Sequence, residues 1–117
     1  MGRLTTHVLD TMHGRPAAGL EAVLYRLDDT GATALQSLTL NADGRAHGPL
    51  LEGPALRAGR YRLVFSVGAY FARAGVALPD PPFLDEVPVD FGIADPQAHY
   101  HVPLLVSPWS YSTYRGS

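Results

Sequence analysis

Gly59-Arg60-Tyr61-Arg62-Leu63-Val64-Phe65-Ser66-Val67 decides the fold class. Tyr61, Leu63, Phe65 and Val67 fall on one side of an extended chain, and Arg62, Val64 and Ser66 on the other. Strict alternation of this kind belongs to a strand with one face in a core. Working outward, Glu21 to Leu27 places Val23, Tyr25 and Leu27 on one face and Ala22, Leu24 and Arg26 on the other. Val87, Val89, Phe91 and Ile93 alternate again, with Pro88 pushing that strand toward an edge. Thr5 to Leu9, Thr33 to Thr39, His99 to Val106 and Ser110 to Arg115 complete the set, although Pro103 interrupts the donors of its strand.

Between these runs lie turn signals. Asp28-Asp29-Thr30-Gly31 and Asn41-Ala42-Asp43-Gly44 hold the residues that tight reversals demand, and the second delivers Arg45 directly after the bend. Asp10 to Pro16 is a polar connection, and Leu78 to Phe83, with three prolines, is an extended loop. Ala69 to Ala74 is the one helix candidate, stopped by Gly75, and Trp109 between Pro108 and Ser110 reads as a packing anchor for its turn. Seven or eight short strands separated by turns predict an all-β sandwich.

The 117 residues suit a single domain, 1–117. Charged residues are only 17%, which suggests that partner subunits cover part of the surface. A net charge of -2 without a basic block argues against electrostatic binding to nucleic acid or an anionic membrane. No apolar run approaches the ~18 residues of a membrane span. The absence of cysteine removes disulfides, thiolate metal sites and Cys nucleophiles. The start has no leader-like apolar stretch, which points to the cytoplasm, or to the periplasm if a leader has been removed.

The polar groups that sit badly in a plain sandwich are His7, Arg45, His99, His101 and the closing stretch Tyr111-Ser112-Thr113-Tyr114-Arg115-Gly116-Ser117. His99 and His101 share one strand face, opposite Tyr100 and Val102. Such a pair is a solvated surface, a metal site or an acid/base device. His7 alone reads as an exposed strand residue and Arg45 alone as a solvated turn residue. His13 and His47 read as surface residues. The closing stretch alternates like a strand but with aromatic, hydroxylic and cationic side chains, as if carrying polar groups into a site. There is no phosphate loop, nucleophile elbow or His-Glu-x-x-His helix.

Three stretches together resemble the transthyretin-like family, on its 5-hydroxyisourate-hydrolysing side. They are Leu4-Thr5-Thr6-His7-Val8-Leu9-Asp10 with Gly14-Arg15-Pro16-Ala17, then Thr39-Leu40-Asn41-Ala42-Asp43-Gly44-Arg45, then His99-Tyr100-His101-Val102-Pro103-Leu104-Leu105 running on to the closing Tyr114-Arg115-Gly116-Ser117. The hormone carriers of the family lack that ending and the histidines. The resemblance implies a β-sandwich of two four-stranded sheets with one short helix, assembled as a dimer of dimers with sites where the dimers meet. It implies hydrolysis of 5-hydroxyisourate in urate degradation, a small-molecule reaction without metal or organic cofactor. It implies catalytic roles for His7, Arg45, His101 and Ser117, and substrate-binding roles for Tyr114, Arg115 and Gly116. His7 and His101 would activate water, Arg45 would stabilise developing charge, and Tyr114 and Arg115 would equally serve to tie down the tail. The competing readings are a small-ligand carrier without catalysis, and a metal hydrolase built on His7, His99 and His101.

Overall fold

The computed structural model describes residues 1–116. In chain order the elements are β1 (Arg3–Asp10), β2 (Arg15–Pro16), β3 (Glu21–Asp28), β4 (Gly31–Thr39), β5 (Leu51–Glu52), a 3-10 turn (Gly53–Ala55), β6 (Gly59–Ser66), α1 (Val67–Arg73), β7 (Glu86–Ile93), β8 (His99–Val106) and β9 (Tyr111–Thr113). One sheet runs β2-β1-β8-β9, with β5 also on β1, and the other runs β4-β3-β6-β7. All pairs are antiparallel except β1 with β8, which are parallel from Arg3↔His99 to Asp10↔Val106.

The inward faces are those the alternation predicts. Leu4, Val8, Leu104 and Val106 meet Leu24, Tyr61, Leu63 and Phe65 from the opposite sheet, each at most 1% exposed. Burying one such side chain contributes about 1.5–3 kcal/mol, so these two rows clamp the sheets together. Pro88 stands on β7, an edge strand, where its missing donor does least harm. The outward face of the first sheet carries Thr5 and His7 from β1 and His99 and His101 from β8, and this face holds the candidate site.

Three expectations are corrected. The first sheet has five strands rather than four, because the two-residue β2 and β5 each pair with one end of β1. The helix spans Val67–Arg73, starting two residues before the expected Ala69. Val67 belongs to the apolar row of β6 and is wholly buried, so the turn into helix begins at a core position. Trp109 is 59% exposed and does not anchor the turn in the core; its ring lies 5.7 Å from that of Phe83, itself exposed.

The helix also explains one buried charge. The Asp10 carboxylate is wholly buried at the end of β1. It accepts hydrogen bonds from the His13 backbone N–H at 2.9 Å and from the Tyr70 hydroxyl at 2.8 Å, and His13 Nδ1 lies 2.7 Å from its second oxygen. Burial alone would raise the Asp10 pKa, but these bonds outweigh it and leave the carboxyl below the usual range. Its contribution to stability is therefore present above the ordinary Asp pKa and lost as pH falls through the depressed one. Asp10→Ala strands the Tyr70 hydroxyl and should cost roughly 2–3 kcal/mol in urea unfolding. A loss below about 0.5 kcal/mol, the scale of an ordinary surface change, would show the network to be idle.

Candidate active site

The site begins with the unusual edge of β1. On the side away from β8, β1 is covered by three separate pieces of chain rather than one strand. β5 pairs with Arg3 and Leu4, Arg45 bridges His7, and β2 pairs with Leu9 and Asp10. Bridged residues share a sheet face, so the Arg45 and His7 side chains leave on the same side. The turn before Arg45 makes this possible. Asn41 Oδ1 accepts from the backbone N–H groups of Asp43 at 2.9 Å and Arg45 at 3.2 Å. Gly44 has φ +72°, its carbonyl accepts from Val8 N–H at 2.9 Å, and a Cβ there would sit 2.5 Å from the Val8 carbonyl oxygen. Only glycine lets the turn press this closely on β1.

On the other side, β8 brings His101 level with Thr5, and Pro103 level with His7. His7 and His101 are thus diagonal neighbours on one face, a spacing of roughly 7–8 Å between Cα atoms. The Thr5 hydroxyl oxygen lies 2.8 Å from His101 Nδ1. The chain end then returns along β8. Leu104↔Thr113 and His101↔Gly116 fit one antiparallel register, which sets Tyr114 opposite Pro103. Proline cannot donate there, so the ladder lapses at that pair, and the Thr113 hydroxyl takes up the Pro103 carbonyl at 2.7 Å. Pairing resumes at Gly116, whose N–H donates to the His101 carbonyl at 2.7 Å. A Cβ on Gly116 would stand 2.6 Å from His101 Cδ2, so the tail lies flat on the imidazole.

Among the described residues, then, His7, Arg45, His101 and Gly116 come together on the outer face. Tyr114 and Arg115 do not join them. The Arg115 guanidinium carbon stands 4.2 Å from the centre of the Tyr100 ring, and its Nη2 donates to the His99 carbonyl at 3.1 Å. Tyr100 alternates with His101 and faces inward, so Arg115 clasps the sheet edge from the far side. Tyr114 shares a separate groove with Arg115, Val89 and Phe91. Ser117 lies outside the described residues. Sequence reading missed Thr5 and the Asp10–His13–Tyr70 network. Thr5 was legible in principle, since it stands two residues before His7 and therefore shares its face. His13 is exposed, as expected of a surface residue, but its ring is tied to a buried carboxylate.

A cleft of about 350 Å³ opens here, lined by Arg3, Thr5, Arg45, His99, Tyr100 and His101. A larger groove of about 460 Å³ lies elsewhere, along Arg15, Tyr70 and Arg73, away from both imidazoles. The histidine cleft is the better candidate because it sets the His101 imidazole beside the Arg45 guanidinium, next to His7 on the same sheet face. Burial lowers the His101 pKa, and the Arg45 charge and His7 lower it further. Burial and Arg45 likewise lower His7, against an opposing pull from hydrogen bonding to the Asp43 backbone and from its carboxylate. Both imidazoles are thereby held neutral near pH 7, the state that can take up a proton. The proposed metal triad of His7, His99 and His101 does not converge: among the described residues no three His, Cys, Asp or Glu side chains are placed to hold a metal ion. No described helix is long and apolar enough to cross a membrane.

Comparison with known proteins agrees with this architecture. Residues 4–116 match the model of the HIUase/Transthyretin family. The chain is 60% identical over 116 residues to 5-hydroxyisourate hydrolase 2 of Rhizobium meliloti strain 1021, covering 99% of this chain and 97% of that one. Its fold superposes on a crystal structure of (S)-allantoin synthase with a TM-score of 0.94 at 49% identity, spanning 99% of this chain but 44% of the other. It also superposes on sea bream transthyretin in complex with thyroxine, with a TM-score of 0.85 at 30% identity, over 97% of this chain and 94% of that one. The chain belongs to the HIUase/Transthyretin family.

Proposed function

We propose that this protein hydrolyses 5-hydroxyisourate to 2-oxo-4-hydroxy-4-carboxy-5-ureidoimidazoline, a step of urate degradation. The observation that carries the reading is the meeting of two neutral imidazoles and one guanidinium on a single sheet face, in a chain 60% identical to a relative named for that reaction. Water held between His7 and His101 gives up a proton to one imidazole as its oxygen adds to a ring carbonyl. Arg45, always protonated, takes the negative charge that builds on the carbonyl oxygen. The adjacent C–N bond then breaks, the leaving nitrogen receives the proton from the imidazolium, and the carbonyl carbon ends as a carboxyl group. No step calls for a metal or an organic cofactor.

Gly116 serves by letting the tail lie against His101, and the role of Ser117, which lies outside the described residues, is to hydrogen-bond substrate or water through its hydroxyl. Arg115 and Tyr114 hold the tail in place from the sheet edge. The protomers assemble as a dimer of dimers, with the histidine face of each directed at the opposing dimer. The second reading, a carrier for a small ligand, draws on the likeness to a transthyretin bound to thyroxine. Stopped-flow absorbance on freshly prepared 5-hydroxyisourate separates the two. Turnover well above the buffer rate is expected, and decay no faster than in buffer would leave the carrier.

Replacing His7 or His101 by Ala should lower turnover by roughly a hundredfold or more, the scale of a lost general base. Wild-type rates in both variants would remove the base assignment. Because both histidines titrate below their ordinary value, the acid limb of kcat/KM should fall below about pH 6.5. Over the same window the unfolded chain binds more protons than the folded one, so unfolding free energy should rise with pH until about 6.5. An acid limb above that value would contradict the depressed pKa values. Gly116→Ala places a methyl group against the imidazole and should cut kcat roughly 10- to 100-fold while the fold persists. Unchanged kinetics in a folded variant would show that the tail's fit to His101 is immaterial.

A further inference from the structure

Thr5 faces His101 directly across the parallel β1–β8 pair, with its Oγ1 2.8 Å from Nδ1. Resting on the hydrolase reading above, we propose that Thr5 is a positioning residue that keeps the proton of His101 on Nδ1 and so presents a bare Nε2 to the cleft as the base. A neutral imidazole has one N–H and one lone pair, and the partner of one nitrogen decides what the other can do. A hydroxyl can either donate or accept. If Thr5 donated to Nδ1, the hydrogen would sit on Nε2 and His101 would offer the cleft no lone pair.

One feature of the cleft favours the opposite arrangement. Arg45 lines it together with His101, and its guanidinium carries only donors, so it is better faced by a lone pair than by an N–H. An imidazole left to itself prefers its proton on Nε2, so the productive form needs a built-in acceptor at Nδ1, and Thr5 stands where one is required. The ring also has little freedom to escape. Gly116 packs over Cδ2, Cγ and Cβ on one side, and the Thr5 hydroxyl is aimed from a β-branched side chain with few rotamers on the other. The neighbouring Thr6 does something different: it points inward, where its hydroxyl donates to the Val102 carbonyl at 2.7 Å. One threonine stitches the two strands from inside, and the other orients an imidazole outside.

Nitrogen-15 spectra of the intact protein, recorded above the titration range of its histidines, read the tautomer without any need for turnover. Wild-type His101 should show the Nδ1–H form. Thr5→Val, which keeps the shape and removes the hydroxyl, should shift it toward Nε2–H, and Thr5→Ser should restore it. Kinetically, Thr5→Val should lose roughly tenfold or more in kcat with KM little changed, and Thr5→Ser should recover most of it. Thr6→Val, which removes the inward hydroxyl, should leave the His101 spectrum as it is. A wild-type His101 in the Nε2–H form, or a tautomer unmoved in Thr5→Val, overturns the proposal even if hydrolysis is observed. Absence of turnover in a wild-type protein with the Nδ1–H form would overturn the hydrolase reading instead, so the two failures are told apart. Should Thr5→Val not fold, the wild-type spectrum alone still decides.

Discussion

The in-register parallel pairing of β1 with β8 is the constraint on which the rest depends. It joins Arg3–Asp10 to His99–Val106 across most of the chain's length. Such a long closure is entropically costly and must be compensated by the contacts it makes possible. Those contacts are of two kinds. Inward, Leu4, Val8, Leu104 and Val106 complete the core. Outward, the same register sets Thr5 beside His101 and His7 one diagonal away. A slip of one residue would turn every side chain of β8 over, placing Tyr100 outside and His101 in the core. The buried aliphatic row therefore guarantees the geometry of the polar one.

β1 shows two opposite solutions to the same electrostatic problem. At its end Asp10 is fully buried, yet it stays ionised because hydrogen bonds from His13 and Tyr70 converge on its carboxylate. In its middle, His7 is half-buried on the other face and is held neutral by burial and by a cation next to it. Desolvation disfavours charge in both places, and the neighbours decide which side prevails. A fixed carboxylate suits a structural joint, where the proton inventory must not change. A neutral imidazole beside a guanidinium suits proton transfer, where it must.

The patchwork edge of β1 and the broken ladder of β9 are two faces of one design feature. A continuous strand beside β1 would have covered its edge without bringing in Arg45. Three short pieces leave room for a turn that ends on a cation. On the opposite flank, the missing donor of Pro103 releases Tyr114 and Arg115 from the sheet, while pairing resumes at Gly116 over His101. Arg115 then fastens the detour against Tyr100. The irregularities of this sheet are concentrated around the imidazoles, as expected where local structure serves chemistry rather than stability.

The sequence by itself determined the strands, because period-two alternation in Tyr61–Val67 and Val87–Ile93 reports one-sided burial directly. It determined the turn that ends on Arg45, through Asn41 and Gly44, and it set His99 and His101 on one face. Family resemblance tied His7, Arg45 and His101 together, but no local pattern did so. Trp109 showed the limit of local reading, since a lone aromatic beside proline says nothing about whether its partner is the core or another exposed ring. The helix start at Val67 and the two-residue strand β2 escaped for the same reason, being decided by what lies across from them. Only the tertiary structure brought Thr5 to Nδ1 of His101, laid Gly116 on its ring and turned Arg115 to the far side of the sheet. These are contacts between residues up to 96 positions apart, and register between distant strands is a property of the packed core, which no single stretch of sequence contains.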